Sequence, residues 1–320
     1  MPSITVVGSL NYDLVTYTNK VPGPGETYQA NSFENHLGGK GLNEALAAAR
    51  LSPPGCSTKI RMVGNIGEDS FGKELKQALV DSHVNTDYVQ EIKGTSSGVA
   101  VIIVETNGEN RILITAGANG QLKPTEQDYQ SIFSDTEDGD FVVLQNEYPD
   151  TFATIAWLKA HKPPVNIAYN PSPFREEIAD PDIMKKIDLL IVNEGEAADI
   201  ANALSLHQKK TAHSVENMKN LASALQTKLH QSNCSSAIIT MGGQGCCYAT
   251  RDGASFTPAS KVENIVDTTG AGDTFFGGIV LQLAQKFSLQ EAVGFATKAS
   301  ALAIQRKGAA EGIPWFNDIK

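Results

Sequence analysis

Residues 264–280, NIVDTTGAGDTFFGGIV, set a carboxylate among small residues at the mouth of an apolar helix. Gly270, Ala271 and Gly272 leave the backbone amides sterically open just before Asp273, and Phe275, Ile279 and Val280 then supply a face to pack. The unpaired amides of a first helical turn and the positive end of the helix dipole attract an anion such as phosphate, and small side chains let it come close. Asp273 is the odd member of this turn, because a fixed negative charge beside an anion is unfavourable unless it has a task. Taking the proton from a hydroxyl that attacks phosphorus is such a task. Capping the helix is the alternative.

Two other glycine motifs fail here. A dinucleotide fingerprint needs G-x-G-x-x-G, but Phe275 stands where the third glycine should follow Gly270 and Gly272. A Walker loop needs Gly-Lys followed by Ser or Thr, whereas Gly39-Lys40 is followed by Gly41 and Gly72-Lys73 by Glu74. A nicotinamide dehydrogenase and a P-loop enzyme are both disfavoured.

Further polar groups recur at the ends of apolar runs. GSLNYD supplies Asn11 and Asp13 just past a first strand, as ligand-binding side chains or as turn formers. LGGKGLNEA places Gly38, Gly39, Lys40, Gly41 and Asn43 at a helix start, where glycines allow close backbone approach. VGNIGEDSFG, with Gly64, Gly67, Asp69 and Gly72, reads as a structural turn into a helix. Glu147 ends FVVLQNE, just past the strand-like FVVL. Asn193 and Glu196, in IVNEGEA, could hold water around Mg²⁺ or simply make an acidic helix start. Thr240, Gly242, Gly243 and Gly245, in ITMGGQG, could line a nucleotide's phosphates or turn a hairpin into CCYAT.

The elements that must position these groups alternate along the chain. Apolar runs at Ile4–Val7, Ile60–Val63, Phe141–Leu144, Val165–Tyr169, Leu189–Val192 and Ala237–Thr240 have the length of buried parallel strands. Helical spacing joins Leu42 to Ala49 and Phe71 to Leu79, and Ser288 with Glu291 forms a capping box for a helix running toward Arg306. The expected fold is α/β, a doubly wound and mostly parallel sheet flanked by helices, with ligands at the carboxyl ends of its strands. Residues 98–116 break the pattern as two alternating strands around Asn107-Gly108, a hairpin signal. With the segment near Val21–Tyr28 they would form a small separate sheet. The loop from His207 to Ser214 is polar and expected to face solvent.

At 320 residues, 41% hydrophobic and 19% charged, the chain can bury a large core. Its net charge of −10, with no basic block, argues against nucleic acid or an anionic membrane as partner, so anion binding must be local. No run reaches the length of a membrane span. Cys56, Cys234, Cys246 and Cys247 show no CxxC spacing, as expected of a cytoplasmic chain with inert thiols.

Taken together and in this order, GSLNYD, GGKGLNEA, NEGE, MGGQG, DTTGAGDTF and RKGAAEGIPW resemble the ribokinase-like (phosphofructokinase B-type) family of carbohydrate kinases over nearly the whole chain. The resemblance implies one kinase domain spanning 1–320, with a β-sheet lid from about 15–35 and 95–118 that also forms a homodimer interface. It implies transfer of the ATP γ-phosphoryl group to the 5-hydroxyl of D-ribose, with another sugar or a nucleoside as the alternative acceptor and a silent sugar-binding protein as a more distant one. Asn11, Asp13, Gly39, Lys40, Gly41, Asn43 and Glu147 would hold the sugar, with Asp273 as base and the amides of Gly270, Ala271, Gly272 and Asp273 as anion hole. Asn193, Thr240, Gly242, Gly243, Gly245, Gly272 and Thr297 would contact the nucleotide, and Asn193 and Glu196 would organise hydrated Mg²⁺. A potassium ion would be held by Asp267, Thr269 and the carbonyls of Ala303, Arg306 and Gly308. The chain departs from the family at Gly312, where a serine is common beside the cation, and at Thr297, where His or Asn is common beside adenine.

Overall fold

The computed structural model describes residues 1–107, 109–206 and 214–319. Among the described residues thirteen strands form two sheets. They are β1 Ser3–Val7, β2 Asn11–Thr18, β3 Ser32–Gly38, β4 Lys59–Gly67, β5 Asn85–Ile92, β6 Gly98–Glu105, β7 Asn110–Thr115, β8 Phe141–Leu144, β9 Asn166–Tyr169, β10 Leu189–Asn193, β11 Ser236–Thr240, β12 Gly245–Thr250 and β13 Gly253–Pro258. The large sheet has nine strands in the order β13-β12-β11-β10-β9-β8-β1-β4-β5, parallel except for the β11-β12-β13 edge. The small one runs β3-β2-β6-β7.

Side-chain alternation divides the core. Ile4, Val6, Met62, Val143, Ile191 and Cys246 face one apolar cluster, while Val7, Val63, Val142, Val192 and Cys247 face the other. A strand buried on both faces must be apolar throughout, which is why these runs read as strands from sequence. The adjacent Cys246 and Cys247 therefore point to opposite sides of the sheet, and all four cysteines are free.

Helices cover both faces. They are α1 Lys40–Arg50, α2 Ser70–Asp81, α3 Glu126–Ile132, α4 Thr151–His161, α5 Pro181–Met184, α6 Glu194–Ala203, α7 Val215–Gln226, α8 Ala271–Ala284, α9 Leu289–Ala303 and α10 Ala309–Gly312. Leu42, Leu46, Phe276, Ile279, Val293 and Ala296 from α1, α8 and α9 build the first cluster, and Ile155, Leu158, Leu221 and Leu225 from α4 and α7 the second. The Ser288–Glu291 capping box starts α9, which ends at Ala303, short of Arg306.

The small sheet differs from the sequence expectation. Val21–Tyr28 is not a strand, because Pro22, Gly23, Pro24 and Gly25 break the ladder and form a turn closed by Glu26 N to Gly23 O at 3.0 Å. Its place is taken by β2 and β3, so Asn11 and Asp13 lie in a strand rather than in a turn. The hairpin joins β6 to β7, with Val104 opposite Asn110. Gly108 of that turn, and residues 207–213 of the expected polar loop, lie outside the described residues, while Ser214 caps α7. The edge strand β5 was missed because polar residues alternate along it.

Gly64 and Gly67 belong to β4 rather than to a turn. Asp69 caps α2 by accepting from Gly72 N at 2.7 Å, and it also accepts from the amide and hydroxyl of Ser97, each at 2.7 Å. One carboxylate thus ties the large sheet's connection to the start of β6. Asp69→Ala is expected to lower stability by about 2–3 kcal/mol, a lost cap plus charge-assisted hydrogen bonds. Equilibrium urea unfolding checks this; a change below about 0.5 kcal/mol, the size of an ordinary surface substitution, would refute it.

Candidate active site

The parallel strands end on one edge, and the polar groups collect there. β1 passes through Gly8-Ser9-Leu10 straight into β2, and α1 begins against that connection, with Leu42 N bonded to Ser9 O at 2.9 Å. The approach depends on glycine. A Cβ on Gly41 would lie 2.7 Å from Ser9 N, and Gly39, at φ 92°, would press one to 2.7 Å from Asn11 N. The helix start is thereby locked beside β2, and Lys40 and Asn43 project toward α8. Asn43 Nδ2 donates to Asp273 Oδ2 at 2.8 Å, and Lys40 Nζ stands 3.7 Å from Asp273 Oδ1. Burial works against the Lys40 charge, but Asp273, Glu147, Glu44 and Glu196 outweigh it and hold its pKa above the usual value.

Glu147 joins the same start of α1. Its Oε2 accepts from Lys40 N at 2.9 Å and from the Ser9 hydroxyl. Asn11 Oδ1 accepts from Asn119 Nδ2 at 2.8 Å, and Asn119 also brackets the backbone of Leu10 through its N and O, at 2.9 and 3.0 Å. Asp13 faces His36 across β2 and β3, and a Cβ on Gly38 would fall 2.4 Å from Asp13 Oδ2. No hydrogen bond holds the Asp13 carboxylate among the described residues. Burial, then Glu147 and Glu311, push its pKa up to about 7, His36 opposing and Asp273 adding a little. Ser9 and Asn119 escaped the sequence reading. Ser9 stands inside GSLNYD, where a serine beside Gly8 reads as a turn residue, and Asn119 lies in no motif and reaches Asn11 across 108 residues.

α8 starts at Gly270, whose φ of 74° and close packing on Ala309, 2.9 Å from a built Cβ, both demand glycine. The amides of Gly272 and Asp273 have no hydrogen-bond partner among the described residues, and a Cβ on Gly272 would meet nothing within 4 Å. An open, positively polarised turn results. Asp273 itself is only 9% exposed.

Gly272 and Thr240 line two adjoining cavities. The larger, about 520 Å³, includes Gly242, Gly243, Gly245, Phe275, Thr297 and Ile304. The smaller, about 80 Å³, includes Lys40, Asp273, Asn193 and Glu196. Asn193 and Glu196 form a reciprocal capping box for α6, each bonding the other's backbone amide at 2.9 Å. The acidic helix-start reading of NEGE is what the structure shows, and capping uses Glu196 Oε2, leaving Oε1 without a hydrogen bond among the described residues. MGGQG likewise turns a hairpin from β11 to β12 and lines the larger cavity. Among the described residues no three His, Cys, Asp or Glu side chains are grouped to hold a bare metal ion, and a hydrated one needs no such group.

Asp267 organises the loop before α8. Burial opposes its charge, but the Thr269 hydroxyl at 2.7 Å, the Thr269 amide at 2.9 Å and the Gly308 amide at 3.0 Å together lower its pKa. A Cβ at Gly312 would stand 3.1 Å from the Ala303 carbonyl oxygen and 3.7 Å from that of Arg306, so those oxygens converge on one side of α10. The Gly308 carbonyl accepts from Gly312 N.

The sequence pattern of the pfkB family carbohydrate kinases matches residues 1–315, and the chain belongs to that family. It is 39% identical to a ribokinase of Schizosaccharomyces pombe, over 100% of this chain and 97% of that one. It is 34% identical to a deoxyribokinase of Salmonella typhi, over 97% and 95%. Among solved structures, an Arabidopsis thaliana ribokinase complexed with ribose and ATP superposes with a TM-score of 0.84 at 27% identity, covering 99% of this chain and 97% of that one.

As a sugar ligand, Asp13 would make affinity sensitive to pH. With its carboxyl titrating at about 7, it gains the charge that best accepts hydroxyl hydrogen bonds as pH rises through that value. Affinity is then expected to rise about tenfold from about pH 6 to about pH 8, following the ionised fraction, and to become flat in Asp13→Asn. Calorimetric titration with sugar checks this, and a pH-independent affinity of the unmodified protein would contradict it.

Proposed function

We propose that this chain transfers the γ-phosphoryl group of ATP to the 5-hydroxyl of D-ribose, giving ADP and D-ribose 5-phosphate. The position of Asp273 carries this reading. It lies in the open first turn of α8, next to Gly272 of the large cavity, and its charge acts on Asp13 beside Asn11 and Glu147. The identity to a ribokinase supports ribose as acceptor, and the ribose- and ATP-bound relative supports both ligands. The deoxyribokinase relative supports 2-deoxyribose as a second acceptor. We treat the chain as one kinase unit with the four-stranded sheet as its lid, located in the cytoplasm. Among the described residues no helix is long and apolar enough to cross a membrane.

In this mechanism Asn11, Asp13, Glu147 and the Gly39–Asn43 turn hold the sugar hydroxyls. Asp273 accepts the proton of the 5-hydroxyl as its oxygen bonds to the γ-phosphorus, and the bond from that phosphorus to the bridging oxygen breaks with its electrons leaving on ADP. Amides of the Gly270–Asp273 turn and the Lys40 ammonium face the charge that moves onto the phosphoryl oxygens. Thr240, Gly242, Gly243, Gly245 and Thr297 border the nucleotide. Asn193 and the free oxygen of Glu196 fit a hydrated Mg²⁺, which neutralises phosphate charge when bound. Asp267, Thr269 and the carbonyls of Ala303, Arg306 and Gly308 offer oxygen ligands that fit a potassium ion, which adds positive charge near the anion turn.

A coupled ATP-consumption assay across ribose, 2-deoxyribose, fructose and adenosine is expected to show the highest kcat/KM with ribose, and lower activity in potassium-free buffer. Asp273→Asn should retain both ligands and lose about 10² to 10⁴ in kcat. Near-normal turnover of that variant would remove Asp273 from the chemistry.

The lid also carries the proposal of a homodimer. Ile112, Leu113 and Ile114 on the edge strand β7 are 52%, 70% and 64% exposed, so both faces of an unpaired edge are apolar. Sedimentation velocity is expected to give a dimer that Leu113→Asp dissociates, and a monomeric unmodified protein at micromolar concentration would overturn it.

A further inference from the structure

Glu44 follows Asn43 on α1 and is 1% exposed. One hydrogen bond reaches its carboxyl group, from the Gln145 amide nitrogen to Oε2. Oε1 of Glu44 and Oε1 of Gln145 are both buried and both lack a partner. Two acceptor oxygens stranded on one bonded pair of side chains can both be satisfied by one added proton. A carboxylic acid facing a primary amide closes a ring of two hydrogen bonds, N–H to one oxygen and O–H to the other, and leaves neither side chain unsatisfied. Gln145 is fixed in place by close packing on Gly8, where a Cβ would fall 2.1 Å from its Oε1. The ammonium of Lys40 is within ion-pair distance of Asp273 and, among the described residues, of no other carboxylate.

We propose that Glu44 is a positioning residue of the phosphoryl-transfer site, held by Gln145 as a neutral carboxylic acid so that Lys40 stays committed to Asp273 and the transferring phosphate. The proposal rests on the kinase reading of Asp273. The charged groups acting on Glu44 are Lys40 on its own helix, Asp273 on α8 and Glu147 beyond β8, and the small cavity it lines also holds Glu196 of α6. Burial first, then Asp273 and Glu147, raise its pKa well above the carboxylate range, with Lys40 and Gln145 opposing. Ionisation adds a negative charge beside Asp273, competes for Lys40, and breaks the ring with Gln145.

The test compares Glu44→Gln, in which two amides pair in place of acid and amide, with the unmodified enzyme from about pH 6 to about pH 10. The ratio of variant to unmodified kcat is expected to grow about tenfold per pH unit above an alkaline inflection that only the unmodified enzyme shows. Exchanging the pair, Glu44→Gln with Gln145→Glu, should restore the inflection. An inflection that persists in Glu44→Gln overturns the proposal. Infrared difference spectra of the unmodified protein minus Glu44→Gln at neutral pH should show a protonated carboxyl band, and a carboxylate band in its place overturns it equally. The infrared reading needs no substrate, so it separates failure of this proposal from failure of the acceptor assignment.

Discussion

One ammonium among too many carboxyl groups is the constraint on which this site depends. Asp273, Glu147, Glu44 and Glu196 all act on Lys40, and Asp13 stands beyond them. A nucleotide adds further negative charge. The protein cannot answer with more lysines without filling the space where the ligands go. It answers with neutral donors instead: the Ser9 hydroxyl and Lys40 amide on Glu147, the Asn43 amide on Asp273, and the Gln145 amide on Glu44. Each stabilises a carboxyl group without adding net charge, and the first turns of α1 and α8 supply the remaining positive potential from backbone dipoles.

The backbone solution fixes where glycine must stand. α1 can deliver its first turn to the sugar side only by touching Ser9, which Gly39 and Gly41 permit, and α8 can deliver its own only by packing Gly270 on Ala309. Because Ala309 starts α10, the loop that carries Arg306 and Gly308 is braced against the anion turn. The same loop grips the small sheet. Lys307 pairs with Glu34, and Glu311 accepts from Leu37 N at 3.0 Å, both on β3. The small sheet and the carbonyls proposed for potassium are thus joined through two polar contacts.

Much of the frame was legible in the sequence because its signals are local. The central strands are buried on both faces and so had to be unbroken apolar runs, and the caps at Ser288 and Asn193 lie three residues from their partners. The misreadings at Val21–Tyr28, β2 and β5 arose where pairing, not composition, decides the strand. The large fold class and the family could be read from ordered motifs. What could not be read were contacts that join distant segments: Asn119 on Asn11, Ser9 on Glu147, and above all Glu44 on Gln145, 101 residues apart. Glu44 looks in sequence like an ordinary helix residue after Asn43. Only the packing of α1 between β1 and α8 denies it water and turns its charge into a problem.

The two departures from the family acquire a physical meaning in the same terms. The Thr297 hydroxyl is spent on the Val293 carbonyl at 2.7 Å, the Thr240 hydroxyl on that of Val192 at 3.3 Å, and the Ser300 hydroxyl on that of Ala271 at 3.1 Å. Thr297 therefore turns only its methyl to the cavity, beside the apolar walls of Phe275, Ala301 and Ile304, while the hydroxyls of Ser260 and Thr268 in the same lining make no hydrogen bond among the described residues. At Gly312 the missing side chain leaves the converging carbonyls of Ala303 and Arg306 uncovered. A cation held there would be met by backbone dipoles on that side, with the carboxylates of Asp267, bonded to the Gly308 amide, and of Glu311, packed against Gly308, nearby. The anion turn is built the same way, its open amides at Gly272 and Asp273 supplied by the backbone rather than by charged side chains.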